Sequence, residues 1–159
     1  MHFLRLDQRL QLSSALMDLP IRKLDPTVPT PAYAQKGDAG LDLASNMDVV
    51  INPGERALVP TGIAVAIPEG HAGLVLPRSG LASRHGLTMA NSPGLIDSGY
   101  RGEIVCAVIN LDGKTPVKIG RGDRIAQLVI VPIATVEPTL VDELPPSERG
   151  PSGFGSTGT

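Results

Sequence analysis

Apolar residues along this chain come in short runs, at 41–43, 56–67, 73–76, 103–111, 117–119 and 124–133, each bounded by turn formers. Runs of this length between frequent breakers predict strands. Within 62–67 the branched Ile63, Val65 and Ile67 alternate with the small Ala64 and Ala66, a period of two that sets the bulky side chains on one face. Asn52-Pro53-Gly54, Pro68-Glu69-Gly70 and Asp112-Gly113 mark turns, and the last predicts a hairpin turn because glycine accepts a positive φ. One stretch departs from the pattern: PRSGLASRHG at 77–86 predicts a short helix, with Ser79 as N-cap and Gly86 as its stop. Many short strands at this spacing predict an all-β fold of the sandwich or jelly-roll kind.

Composition supports the strand reading, since 18 glycines and 15 prolines among 159 residues punctuate the chain too often for long helices. That length suits one domain with a real core. Residues 1–16 read as an N-terminal extension, with Met17 an alternative start; 17–140 read as the β domain, and 141–159 as an acidic, proline-containing spacer followed by a flexible glycine-rich arm. A net charge of -2 gives no broad basic surface for a nucleic-acid polymer, so any anionic ligand must be held locally. The single Cys106 cannot form an intrachain disulfide and, within an apolar run, reads as a small buried hydrophobe. No run approaches the roughly 18 apolar residues of a membrane span, and 1–17 lack a signal-like apolar core. The expected location is therefore cytoplasmic.

Several segments carry candidate chemistry beside a blander reading. A helix starting near Ser79 would present free amides and the Arg78 guanidinium to a phosphate, although a plain cap with a surface arginine is the commoner role of such a string. NSPGLIDSGYRGE at 91–103 predicts a β-hairpin whose glycine-lined tip could read the edge of a flat base; Asp97 there could equally cap a turn. Asp42 is either an edge-strand surface residue or an anchor for hydrated Mg²⁺. Residues 153–158 spell GxGxxG, but only Thr159 follows, so no dinucleotide-binding helix can form and only glycine-lined amides and the Ser156 and Thr157 hydroxyls remain. His2, His71 and His85 are scattered and form no zinc motif, and Arg121-Gly122-Asp123 reads as a chance tripeptide.

The strings GDAGLDL, PRSGLA, NSPGLIDSGYRGE, GDRIAQL and RGPSGFGSTG follow one another between residues 37 and 158, and in this order the chain resembles the homotrimeric dUTPases. The resemblance implies a jelly-roll-like β-barrel, and a homotrimer whose active sites lie between subunits and hydrolyse dUTP to dUMP and pyrophosphate with Mg²⁺. Such an activity limits uracil incorporation into DNA and supplies dUMP. By the same resemblance Asp42 holds Mg²⁺ through water, while Arg78, Ser79, Gly80 and Gln127 bind phosphates. Asn91 and the backbone around Ile96 and Gly99 read uracil, Tyr100 packs on the deoxyribose, and Asp97 is the catalytic carboxylate. In the arm, Arg149, Gly155, Ser156 and Thr157 meet the substrate and Phe154 stacks over the base. Leu41 stands where an aromatic is common and Leu95 where a small branched residue is common; neither replaces a chemical group. Two rivals share the fold: a dCTP deaminase or bifunctional deaminase, whose catalytic Glu would fall at Ala107, and a non-catalytic trimeric nucleotide-binding module.

Overall fold

Alternate burial is what the strands have in common: in 105–110, Cys106, Val108 and Asn110 are buried while Val105 is exposed and Ala107 and Ile109 are half-buried. A computed structural model describes residues 17–148 and 150–151 of the chain. In chain order the elements are β1 (Ile21–Lys23), β2 (Leu41–Ala44), β3 (Val49–Ile51), β4 (Arg56–Pro60), β5 (Ile63–Val65) and β6 (His71–Pro77). The helix α1 (Ser79–His85) is followed by β7 (Leu87–Met89), β8 (Gly94–Ile96), β9 (Val105–Asn110), β10 (Val117–Ile119) and β11 (Arg124–Pro132). The fold is all-β with one short helix. Helix content stays this low because Pro and Gly interrupt each segment within a few residues.

All pairings among the described strands are antiparallel. One sheet has the order β2-β11-β6-β8 and a second the order β4-β9-β7, with the ribbons β1-β5 and β10-β3 beside them. These ladders wrap one core instead of closing into the expected barrel. Leu43, Val75 and Leu128 from the first sheet join Val59, Cys106 and Val108 from the second in that core. Each such aliphatic side chain contributes on the order of 2 kcal/mol by leaving water. Cys106 is fully enclosed, and burial pushes its thiol up to about 12, so it packs as a hydrophobe.

Two expectations are corrected. The run 56–67 is two strands, because Thr61 and Gly62 turn the chain; Gly62 has φ 68 and is buried against Val28 and Asn46, so only glycine serves there. Asp112-Gly113 makes a turn but not a hairpin, since β9 pairs with β4 and β7 while β10 pairs with β3. Gly113 does not adopt positive φ; instead the Asp112 carboxylate accepts the Lys114 and Thr115 amides at 2.8 and 2.7 Å, which lowers its pKa. The Arg121 tripeptide serves the fold: its guanidinium donates to Asp25 at 2.6 Å and to the Asn46 carbonyl at 2.7 Å, tying the chain after β1 to that after β2.

Candidate active site

Because β11 lies between β2 and β6, Gln127 pairs with Asp42 across one ladder, and β6 runs directly into α1 through Pro77 and Arg78. The result is a pocket of about 260 Å³ whose lining includes Gly40, Asp42, Arg78, Ser79, Gly80 and Gln127. Arg78 Nε lies 3.1 Å from Asp42 Oδ1, and Arg124 Nη1 lies 3.0 Å from Asp42 Oδ2. Arg78 also donates to the Arg124 carbonyl at 3.0 Å. Two guanidiniums on one carboxylate leave a net positive cluster with donors to spare for an anion. Gln127 Nε2 donates to the Pro77 carbonyl at 3.0 Å, which orients its amide beside the start of α1.

The helix start differs from expectation in one respect. Arg78, extended at φ -92 and ψ 126, occupies the N-cap, no side chain caps it, and Ser79 is the first helical residue. The Arg78 side chain is drawn off to Asp42, and its carbonyl accepts the Leu81 and Ala82 amides. The Ser79 and Gly80 amides, ahead of the first helical hydrogen bonds, have no intrahelical acceptor. Gly86 at φ 65 ends the helix, as expected, and its amide returns to Ala82.

A second cavity, of about 220 Å³, opens beside β8 and the turn that follows, with Asn91, Gly94, Ile96, Asp97, Tyr100 and Glu103 among its lining. As the edge strand of its sheet, β8 pairs with β6 alone, so its other edge carries peptide groups that no described strand pairs. The Tyr100 amide donates to the Asp97 carbonyl at 3.1 Å and closes a turn. Arg101 braces that turn by donating to the Ser98 and Tyr100 carbonyls at 2.6 and 2.8 Å. The Asp97 carboxylate is exposed, with no salt bridge to any described residue. Gly99 faces open space at the tip, outside the cavity lining. The expected hairpin is not formed: β8 belongs to one sheet and β9 to the other, so 91–103 crosses between sheets.

The two pockets share no lining residue. Each collects its own part of the expected set: Asp42, Arg78, Ser79, Gly80 and Gln127 in one, Asn91, Ile96, Asp97 and Tyr100 in the other. Arg149, Phe154, Gly155, Ser156 and Thr157 lie outside the described residues. Sequence reasoning passed over Arg84, Arg124 and Glu103. Arg84 was findable, since it stands four residues after Gly80 on the helix and its guanidinium folds over that glycine. Arg124 reaches Asp42 only through strand register, which the sequence does not display.

Among the described residues no three His, Cys, Asp or Glu side chains gather as a protein-held metal would require. Asp42 fits hydrated Mg²⁺ at one remove: each of its oxygens accepts from an arginine and keeps a lone pair for water, and Mg²⁺ commonly retains waters and leans on substrate phosphates.

Among known proteins, the chain is 59% identical to the deoxyuridine 5'-triphosphate nucleotidohydrolase of Thermobifida fusca, over 87% of this chain and 77% of that protein. It is 52% identical to the enzyme of that name from Nocardia farcinica, over 91% and 88% of the two chains. Among solved structures it resembles a point mutant of the Staphylococcus bacteriophage 80alpha dUTPase with dUpNHpp, at TM-score 0.82 and 35% identity, covering 89% of this chain and 99% of that one. It also resembles a mutant dUTPase from phage phi11 of S. aureus, described for its coordination of a structural Mg(II) ion, at TM-score 0.74 and 34% identity over 80% and 98%. The dUTPase family model matches residues 27–158, and on this span and these likenesses the chain belongs to the dUTPase family.

Proposed function

We propose that the chain hydrolyses dUTP to dUMP and pyrophosphate, with Asp97 orienting and deprotonating the water that attacks the α-phosphorus. One observation carries the reading: an open carboxylate, a phenol and a strand edge that no described strand pairs share one cavity, while a net positive cluster and helix amides without an intrahelical acceptor share another. The alternating N–H and C=O groups of the β8 edge suit the uracil edge, with Asn91 beside them and the Tyr100 ring packing on the deoxyribose where a 2′-hydroxyl would not fit. Arg78, the Ser79 and Gly80 amides and Gln127 suit phosphoryl oxygens. Attack forms a bond from the water oxygen to the α-phosphorus and breaks the bond to the bridging oxygen; Asp97 takes the proton and pyrophosphate leaves. Mg²⁺, which Asp42 would hold through water, supplies charge neutralisation along the triphosphate.

Because the two half-sites are separate on one chain, the working site combines the Asp97 cavity of one copy with the Arg78 pocket of another, in a homotrimer whose arm (Arg149, Phe154, Gly155, Ser156, Thr157) closes over the substrate. Two surfaces support self-association. On the outer face of β4-β9-β7, Leu58 and Val105 are 71% and 44% exposed, with Ala107 opposite Leu58 in the ladder. After β11, Leu140 and Leu144 are 102% and 85% exposed, uncovered by any described part of their own chain. Deamination is disfavoured because Ala107, opposite Leu58 in the ladder, has no proton to move. Pyrophosphate release measured on dUTP, dTTP, dCTP and UTP, with and without Mg²⁺, tests the reading. Release from dUTP that depends on Mg²⁺ is expected; ammonia from dCTP, or no preference for dUTP, overturns it.

A further inference from the structure

We infer that Gly102 and Glu103 are positioning residues that hold the Tyr100 ring in place and thereby set discrimination against a ribonucleotide; the inference rests on the sugar-facing role proposed above for Tyr100. The phenol is 46% exposed, so surrounding packing alone does not fix its rotamer. Two features do. Its hydroxyl donates to the Glu103 carbonyl at 2.9 Å. Its ring lies over the Gly102 Cα: a Cβ there would stand 2.6 Å from Tyr100 Cζ and 2.9 Å from Cε2, and would also collide with the hydroxyl oxygen. Gly102 has no positive φ, so its backbone does not demand glycine; the folded-back ring does.

Glu103 is in turn keyed to the interior. Its Oε1 accepts the amide of buried Gly62 at 2.6 Å, a charge-assisted bond that spans 41 residues of chain. The next residue is tied at the same place: buried Thr61 Oγ1 donates to the Ile104 carbonyl at 2.7 Å, and the Ile104 amide donates to Ile63 at 2.8 Å. The carbonyl that receives the Tyr100 hydroxyl is thus anchored on both sides to the β4–β5 turn. With one carboxylate oxygen committed to Gly62, Glu103 acts through Tyr100 rather than on the reacting atoms.

The test measures kcat and KM for dUTP and UTP, with thermal melting, in Gly102→Ala, Glu103→Ala, Glu103→Gln and Tyr100→Ala. Gly102→Ala and Glu103→Ala should each lower the dUTP-over-UTP ratio of kcat/KM on the order of tenfold to a hundredfold, the scale of a misplaced contact group. Tyr100→Ala should lose at least as much. Glu103→Gln keeps an oxygen for the Gly62 amide and should restore the ratio nearly to that of the unaltered protein. A folded Gly102→Ala with an unchanged ratio, while Tyr100→Ala loses it, overturns the positioning role and leaves the sugar role intact. Glu103→Gln falling as far as Glu103→Ala also overturns it. Discrimination that survives in Tyr100→Ala removes the sugar role and this inference together.

Discussion

The two pockets hold their parts by opposite means. Around β8 the turn is fixed by bonds into the backbone: Tyr100 on Glu103, Arg101 on Ser98, Glu103 on Gly62. Around α1 the charged side chains hold one another, with Arg78 and Arg124 on Asp42. A base and a sugar are read by donors and acceptors at set positions, which a prebuilt turn provides. Phosphates are bound by charge, and charges left without partners would have to stay fully hydrated. Arg78 trades one anionic acceptor for another when a phosphoryl oxygen replaces Asp42, so in the proposed site the exchange costs little. A half-buried carboxylate on an amide is worth about 1.5–3 kcal/mol, so the Glu103 anchor stays put.

The comparison breaks first at Asp97. Asp97→Asn removes the proposed base with almost no change of shape, so turnover should fall about 10²- to 10⁴-fold while nucleotide binding by calorimetry and thermal melting persist. Arg78→Ala should lower kcat/KM for dUTP on the order of a hundredfold, and Arg78→Lys should recover little of it, because an ammonium cannot face a carboxylate and a phosphate with one planar fork. Asp42→Asn should raise the Mg²⁺ concentration for half-maximal activity roughly tenfold, read from a metal titration at saturating dUTP.

The smallest effect concerns an ion pair that no substrate exchanges. Arg121, with Thr27, holds Asp25 at about 2, below the usual 3.8. Its contribution to stability is therefore full above the unfolded value and is lost as pH falls from about 3.8 through about 2. Asp25→Asn should melt slightly lower than the unaltered protein at neutral pH and match it near pH 2, with activity unaffected when assayed at neutral pH.

Much of this is legible in the sequence. The strands at 41–43, 73–76, 117–119 and 124–133 follow from short apolar runs between turn formers, and Gly86 stops the helix by its own conformation. What escaped was long-range. The 91–103 segment has the residues of a hairpin, yet β8 and β9 find partners in different sheets. Ser79 has the chemistry of a cap, but the backbone is already helical there, and extended Arg78 holds the cap position with its side chain on Asp42, distant in sequence. Glu103 shows its role only when the Gly62 amide meets it.

In the proposed assembly one working site draws Asp97 from one copy and Arg78 from another. Asp97→Asn and Arg78→Ala chains, each strongly impaired alone, can be unfolded together in equal amounts and refolded, and pyrophosphate release from dUTP measured. If sites form between copies, some pair two intact partners, and about a quarter of the unaltered activity should return. If each chain builds its own site, every site keeps one defect and the mixture stays as impaired as its parents, which would rule out a site shared between copies.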